Sequence, residues 1–115
     1  MRIWLIGAGS IGAATLRQLQ KNPDISVVVS DPSPNPLAVR EGLIEKIDYL
    51  ETVSPVNITQ LARRIRPDLI LLSPPEGGVG LGALEGGQAL AQALNYEISA
   101  RSDYPVIVLS LSNTR

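Results

Sequence analysis

The chain has no cysteine, no histidine and no phenylalanine among its 115 residues. Without cysteine it forms no disulfides and no thiolate metal sites. Without histidine it lacks the commonest general base and the commonest metal ligand of proteins. One tryptophan and three tyrosines are the only aromatic residues. The core therefore has to be aliphatic, which is typical of a parallel β-sheet.

Charge and hydropathy argue against two further classes of protein. Ten lysines and arginines against 11 aspartates and glutamates give a formal net charge of −1, whereas nucleic-acid binding requires a basic patch. No apolar run approaches the roughly 20 residues that span a bilayer, and the first residues lack the pattern of a cleavable signal. We therefore expect a soluble, cytoplasmic protein, and the length predicts one domain over residues 1–115.

Short apolar runs alternate with segments of helical periodicity along the chain, which predicts an α/β fold. Asn57 is predicted to be the N-cap of a helix, with Gln60 three residues later as in a capping box. The expected architecture is a doubly wound, five-stranded parallel sheet with the Rossmann-like order 3-2-1-4-5. The predicted strands are residues 3–6, 25–30, 48–53, 69–72 and 106–111. The predicted helices are residues 10–21, 37–46, 57–67 and about 83–100.

Nine of the ten glycines fall in two clusters, and each cluster follows an apolar run. In the predicted order the first and fourth strands are neighbours, and the chain reverses direction between them. Both clusters then lie at the carboxyl ends of these strands, where open α/β sheets bind their ligands. The first cluster is Gly7, Gly9 and Gly12, and the second is Gly77, Gly78, Gly80, Gly82, Gly86 and Gly87.

The first cluster matches the G-x-G-x-x-G pattern, and it closes a predicted strand and opens a predicted helix. In this pattern Gly7 permits the tight turn, Gly9 lets a pyrophosphate approach the backbone, and Gly12 lets the helix pack closely on the strand. The helix N-terminus adds free N–H groups and the positive end of its dipole. The hydroxyl of Ser10 is a further candidate contact to phosphate. A tight β–α turn that binds nothing is the alternative.

With these motifs, residues 1–31 resemble the start of the NAD(P)-binding Rossmann domains of dehydrogenases. They are also similar to the nucleotide-binding domains of bacterial potassium-transport regulators. The resemblance implies that Asp31, 19 residues after Gly12, accepts hydrogen bonds from the adenosine ribose and repels a 2′-phosphate. NAD is therefore the expected cofactor, and NADP is less favoured. A solvated turn aspartate before proline is the alternative.

The resemblance also places the loop after the fourth strand, which begins with Ser73 and Pro74, beside the nicotinamide half of the cofactor. The predicted cofactor-binding residues are Gly7, Gly9, Ser10, Ile11, Gly12, Asp31, Ser73 and Pro74. No catalytic residue is predicted, because histidine and cysteine are missing and no lysine follows Tyr96 at the spacing of short-chain dehydrogenases. No metal ligands are predicted either.

Three functions are compatible with these patterns. The first is an NAD(H)-binding module without its own catalytic domain, which acts as a nucleotide sensor or as a subunit, in a homo-oligomer or with a partner chain. The second is the cofactor domain of an NAD-dependent dehydrogenase whose catalytic part lies elsewhere. The third is a pseudo-receiver signalling domain, because residues 67–72 and 105–110 resemble the central strands of receiver domains. In that alternative Ser73 occupies the phosphoacceptor position, and Ser110 matches the serine or threonine that ends the other strand.

Overall fold

In the computed structural model, residues 1–73 and 104–109 are described. Pro74, the second glycine cluster, the helix predicted at 83–100 and the end of the last predicted strand lie outside these residues. The strands are β1 (Arg2–Ile6), β2 (Ser26–Ser30), β3 (Leu69–Leu72) and β4 (Val106–Val108). The helices are α1 (Ser10–Leu19), α2 (Leu37–Arg40) and α3 (Ile58–Ile65).

The four strands form one parallel sheet in the order β2-β1-β3-β4. Trp4, in the middle of β1, pairs with Val28 of β2 on one side and with Ile70 of β3 on the other. The chain runs outward from β1 to β2 and then returns past β1 to β3. Its direction along the sheet therefore reverses between β1 and β3, and the carboxyl ends of strands at such a reversal are where open α/β sheets bind their ligands. The parallel α/β sheet is confirmed.

Apolar side chains cover both faces of the sheet, because successive residues of a strand point to opposite faces. One cluster joins α1 and α2 to the sheet, and the other joins α3 to it. On the α3 face, the buried indole Nε1 of Trp4 donates a 3.0 Å hydrogen bond to the buried hydroxyl of Ser30. The buried residues of the first cluster are Ile3, Leu5, Ala8, Ala13, Leu16, Val29, Ala38, Ile47, Leu71 and Leu109. Those of the second cluster are Trp4, Ile6, Ile58, Leu61, Ala62, Ile65, Ile70 and Leu72.

The strand predicted at 48–53 is reduced to a single parallel bridge between Ser30 and Tyr49. The carboxylate of Asp48 accepts the Val29 N–H at 2.8 Å, so a side chain serves where a third strand would offer a backbone carbonyl. Beyond Tyr49 the chain turns away, since the Glu51 N–H donates back to Tyr49 O at 3.0 Å. The sheet thus has four strands among the described residues, and neither the five-strand count nor the order 3-2-1-4-5 is confirmed.

Two helix predictions also need correction. The helix predicted at 37–46 ends at Arg40, because Gly42 adopts a positive φ of 75°. The Leu43 N–H then donates to Ala38 O at 3.0 Å, as in a Schellman motif. Asn57 occupies the N-cap position of α3, as predicted, but its side chain makes no capping bond to the helix. Its Oδ1 instead accepts the Ser54 N–H at 2.8 Å, so the predicted capping box is wrong.

Candidate functional site

The loop of residues 7–12 joins β1 to α1 at the carboxyl edge of the sheet, and two of its glycines are required by geometry. Gly7 has a φ of 94°, outside the range that residues with a Cβ adopt readily. Gly12 is buried, and a Cβ at this position would overlap the carbonyl oxygen of Gly7. Gly9 has an ordinary φ of −74° in an extended conformation. The tight turn predicted at Gly7 and the close approach predicted at Gly12 are therefore both present.

The N-terminus of α1 presents a group of backbone hydrogen-bond donors. Gly9 precedes the helix and offers no capping side chain, and the first turn contains no acidic residue. The first helical hydrogen bond runs from the Ala13 N–H to Gly9 O at 2.7 Å. No described residue accepts a hydrogen bond from the N–H groups of residues 9–12, which we call the loop amides. Together with the exposed Ser10, they form the kind of helix terminus that binds a phosphate.

Asp31 lies directly after β2 and is partly buried beside this loop. Its Oδ2 accepts the Ala8 N–H at 2.9 Å, and its Oδ1 accepts the Ser33 N–H at the same distance. A carboxylate has about four acceptor positions, so further donors can still bind to it. The sequence predicted the position of Asp31 at the end of the strand but not its bond to the loop, because Ala8 is 23 residues away along the chain.

Ser73 follows β3 and turns its hydroxyl toward the same loop. The residue is only 6% exposed. Its Oγ lies 2.8 Å from Ile6 O and 3.0 Å from Gly7 O, so the hydroxyl proton is donated to the backbone. A receiver phosphoacceptor needs an accessible side chain, and this geometry therefore does not favour the pseudo-receiver alternative. The predicted direct contact between Ser73 and a cofactor stays a prediction.

The proline-rich segment after Asp31 folds back onto the loop. Pro36 is buried and precedes α2, and the Ala38 N–H donates to Ala8 O at 3.1 Å. Ala8 thus has both of its backbone groups hydrogen-bonded, its N–H to Asp31 and its carbonyl to α2. The segment therefore fixes the position of Asp31 relative to the loop.

Other kinds of site find no support in the part of the chain that the structure describes. There, no three of the aspartates and glutamates come close enough together to hold a metal ion. Among residues 1–73 and 104–109, no helix has the length and hydrophobicity that crossing a membrane requires. The donors and acceptors at the carboxyl edge of the sheet are therefore the candidate site.

Neither a family model nor a curated protein matches this chain in sequence. Its structure is similar to the crystal structure of UDP-glucuronic acid 4-epimerase from Bacillus cereus in complex with NAD, with a TM-score of 0.50 and 15% sequence identity. The alignment covers 94% of this chain and 54% of the epimerase chain, so this chain spans about half the length of that protein. The similarity supports a Rossmann-type fold for this chain.

Proposed function

We propose that this chain is an NAD(H)-binding Rossmann-type module in which residues 7–12 hold the pyrophosphate and Asp31 holds the adenosine ribose. One observation carries the proposal: four backbone donors without a described acceptor lie beside a carboxylate at the same edge of the sheet. The adenosine diphosphate half of a dinucleotide is complementary to this pair. Its phosphate oxygens accept hydrogen bonds, and its ribose hydroxyls donate them.

The two halves of the proposed site are adjacent through the backbone. The Ala8 N–H binds Asp31, and the next N–H along the chain, that of Gly9, is the first of the loop amides. One residue therefore separates the proposed ribose acceptor from the proposed phosphate donors. This short separation suits a ligand in which the ribose and the first phosphate are directly bonded to each other.

The charge at Asp31 favours NAD(H) over NADP(H). Its hydrogen bonds come from the backbone of Ala8 and Ser33, and no described lysine or arginine forms an ion pair with it. Arg17, on the helix that the loop begins, is paired with Glu41 instead. A 2′-phosphate would therefore meet a carboxylate without a neutralising cation, whereas a 2′-hydroxyl would donate a hydrogen bond to it. The bound NAD of the structurally similar epimerase supports the same cofactor.

Thermal unfolding with added nucleotides tests the proposal. At a concentration 100 times its dissociation constant, a ligand that binds only the folded state stabilises it by roughly 2.7 kcal/mol. We expect NAD or NADH to raise the melting temperature at concentrations where NADPH and ATP raise it less. If none of the four nucleotides shifts the melting temperature, the proposed function is wrong.

Gly9→Val is the matched variant for this titration. The φ of −74° at Gly9 is accessible to residues with a side chain, so the variant is expected to fold. Its side chain would occupy the space through which a pyrophosphate approaches the loop amides. We expect the NAD-dependent shift to disappear while the melting temperature without nucleotide stays close to that of the wild type.

The role of the bound nucleotide is the second part of the proposal. A sensor or subunit without its own catalytic domain is the function we favour, and the cofactor domain of a larger dehydrogenase is the alternative. The alternative is supported by the structural alignment, because this chain matches 54% of the longer epimerase chain. Substrate-dependent reduction of NAD by the purified chain alone would contradict the proposal that the chain is a module without its own catalytic domain. The predicted homo-oligomer is tested by the mass of the purified chain in light scattering.

A further inference from the structure

The peptide unit between Gly7 and Ala8 is held from both sides. Its carbonyl oxygen accepts the hydroxyl of Ser73 at 3.0 Å, and its N–H donates to Asp31 Oδ2 at 2.9 Å. Asp31 follows β2 and Ser73 follows β3, the two strands that flank β1. One side chain from each neighbouring strand therefore fixes the orientation of this peptide, which directly precedes the loop amides.

The Ser73 hydroxyl has one proton, which it shares between Ile6 O and Gly7 O, and Gly7 O depends on it more. Ile6 O also receives the backbone N–H of Ser73 at 2.9 Å as part of the pairing between β1 and β3. Gly7 O has no other donor among the described residues. Without the hydroxyl, Gly7 O would lose this hydrogen bond next to the nearly buried residue 73. The present orientation of the Gly7–Ala8 peptide would then be less favourable.

The two crowded glycines enclose this contact. A Cβ at Gly7 would overlap Ser73 Oγ, and a Cβ at Gly12 would overlap Gly7 O and lie 3.5 Å from Ser73 Oγ. Because neither glycine has a side chain, the Ser73 hydroxyl has room to reach the loop. Gly7, Gly12 and Ser73 form one packed unit, although Ser73 is 66 residues away from Gly7 in sequence.

From this arrangement we infer that Ser73 is a positioning residue of the dinucleotide site. Its hydroxyl fixes the Gly7–Ala8 peptide, and through that peptide it preorganises the loop amides for the pyrophosphate. The inference rests on the proposed function. It differs from a direct contact, because the proton of the hydroxyl is already donated to the backbone. Donors held in place before binding lose little entropy when the ligand arrives, and this raises affinity.

Calorimetric titration of Ser73→Ala with NAD, ADP and adenosine tests the inference. Loss of one hydrogen bond that orients the donors should weaken the binding of NAD and ADP by about 2- to 13-fold. Adenosine carries no phosphate, so its affinity should be unchanged. In ¹H–¹⁵N spectra without ligand, the signals of Ala8 and the loop amides should move, while those of α3 should not. Ser73→Thr keeps the hydroxyl and should restore the affinity for ADP.

Ser73→Cys separates the hydrogen bond from the packing, since the thiol fills similar space but is a weak donor. It also serves as the measurement if Ser73→Ala fails to fold. Weakened binding of ADP with unchanged binding of adenosine supports the inference. Wild-type affinity of Ser73→Cys for ADP would overturn it and leave the proposed function standing, as would an equal loss for ADP and adenosine. A wild-type chain that binds no nucleotide would overturn both.

Discussion

The carboxyl and amino edges of the sheet hold β1 by the same type of hydrogen bond, but they differ in the donors that remain for a ligand. At the carboxyl edge, the Asp31 carboxylate accepts the Ala8 N–H directly after β1. At the amino edge, the Asp68 carboxylate accepts the Arg2 N–H at the start of β1, at 2.7 Å. In each case an aspartate next to a neighbouring strand holds the backbone of the central strand.

The two edges differ in which of their backbone groups have a hydrogen-bond partner among the described residues. At the amino edge, the guanidinium of Arg2 donates to Ile65 O at 2.7 Å and thus occupies a carbonyl in the last turn of α3. The Asp68 N–H in turn donates to Arg2 O at 2.8 Å. At the carboxyl edge, the loop amides have no described acceptor. A ligand site therefore requires donors that the fold orients but does not use, and in the described part of the chain the loop amides at the carboxyl edge are such donors.

The largest expected effect is that of Gly12→Ala, which acts on the carboxyl edge alone. Helix propensity by itself would make this change stabilising by about 1 kcal/mol. The added Cβ, however, would overlap Gly7 O and lie 2.9 Å from Gly7 C, both of which are backbone atoms. We expect the free energy of unfolding to fall by about 3 kcal/mol or more, since a backbone cannot yield as a flexible side chain does. Urea denaturation measures it, and a stabilised variant would contradict the packing described above.

Gly7→Ala and Gly42→Ala form a matched pair with the next largest effect. Both glycines have a positive φ, 94° and 75°. The left-handed conformation costs a residue with a Cβ roughly 1–2 kcal/mol. At Gly42 no atom lies within 4 Å of the added Cβ, whereas at Gly7 the Ser73 hydroxyl would be displaced. We expect Gly7→Ala to lose about 1 kcal/mol more than Gly42→Ala in urea denaturation, and it alone should weaken NAD. Equal losses would argue against the Ser73 contact.

Asp31→Asn and Asp68→Asn compare the two edges directly. Asp31 accepts one N–H on each carboxylate oxygen, so an asparagine would turn its NH₂ group toward one of these donors. Among the described residues, one backbone N–H reaches the Asp68 carboxylate, that of Arg2, and an asparagine oxygen can still accept it. We expect Asp31→Asn to destabilise the fold by about 1–2 kcal/mol and Asp68→Asn by less than about 0.5 kcal/mol.

Nucleotide affinity gives the sharper contrast for this pair. Loss of a charged hydrogen bond to the ribose should weaken NAD by about 1.5–3 kcal/mol in Asp31→Asn, roughly a 10- to 150-fold change in dissociation constant. Asp68→Asn should bind NAD like the wild type. Calorimetric titration measures both. If the two variants bind NAD equally, the ribose is not held at Asp31.

Local patterns were enough to predict three strands and the glycine loop. The predictions 3–6, 25–30 and 69–72 differ by at most one residue at each end from β1, β2 and β3. Their apolar runs and the glycine pattern are local properties of the sequence. Gly42, which lies outside both clusters, carried an equally local signal, because a glycine commonly ends a helix.

The rest depends on contacts between residues far apart in sequence. Asp48 takes the place of a strand only because its side chain reaches Val29, 19 residues away. Ser73 reaches the loop only because β3 pairs with β1 in one particular register. No periodicity in the sequence reports on such side-chain bonds. The glycine pattern therefore predicted the position of the candidate site, but not which side chains hold the loop.

The smallest expected effect lies at the amino edge, in the matched pair Arg66→Gly and Arg63→Gly. Arg66 ends α3 in the left-handed conformation, with a φ of 53°, at a position that glycine usually occupies. Glycine there relieves strain and should stabilise the fold by about 0.5 kcal/mol, since its greater freedom in the unfolded chain offsets part of the gain. Arg63 is exposed within the helix, where the same substitution should cost about 1 kcal/mol. Both variants lose one positive charge, so opposite shifts in melting temperature isolate the backbone effect. Neither should alter the affinity for NAD, because the amino edge holds none of the proposed binding groups.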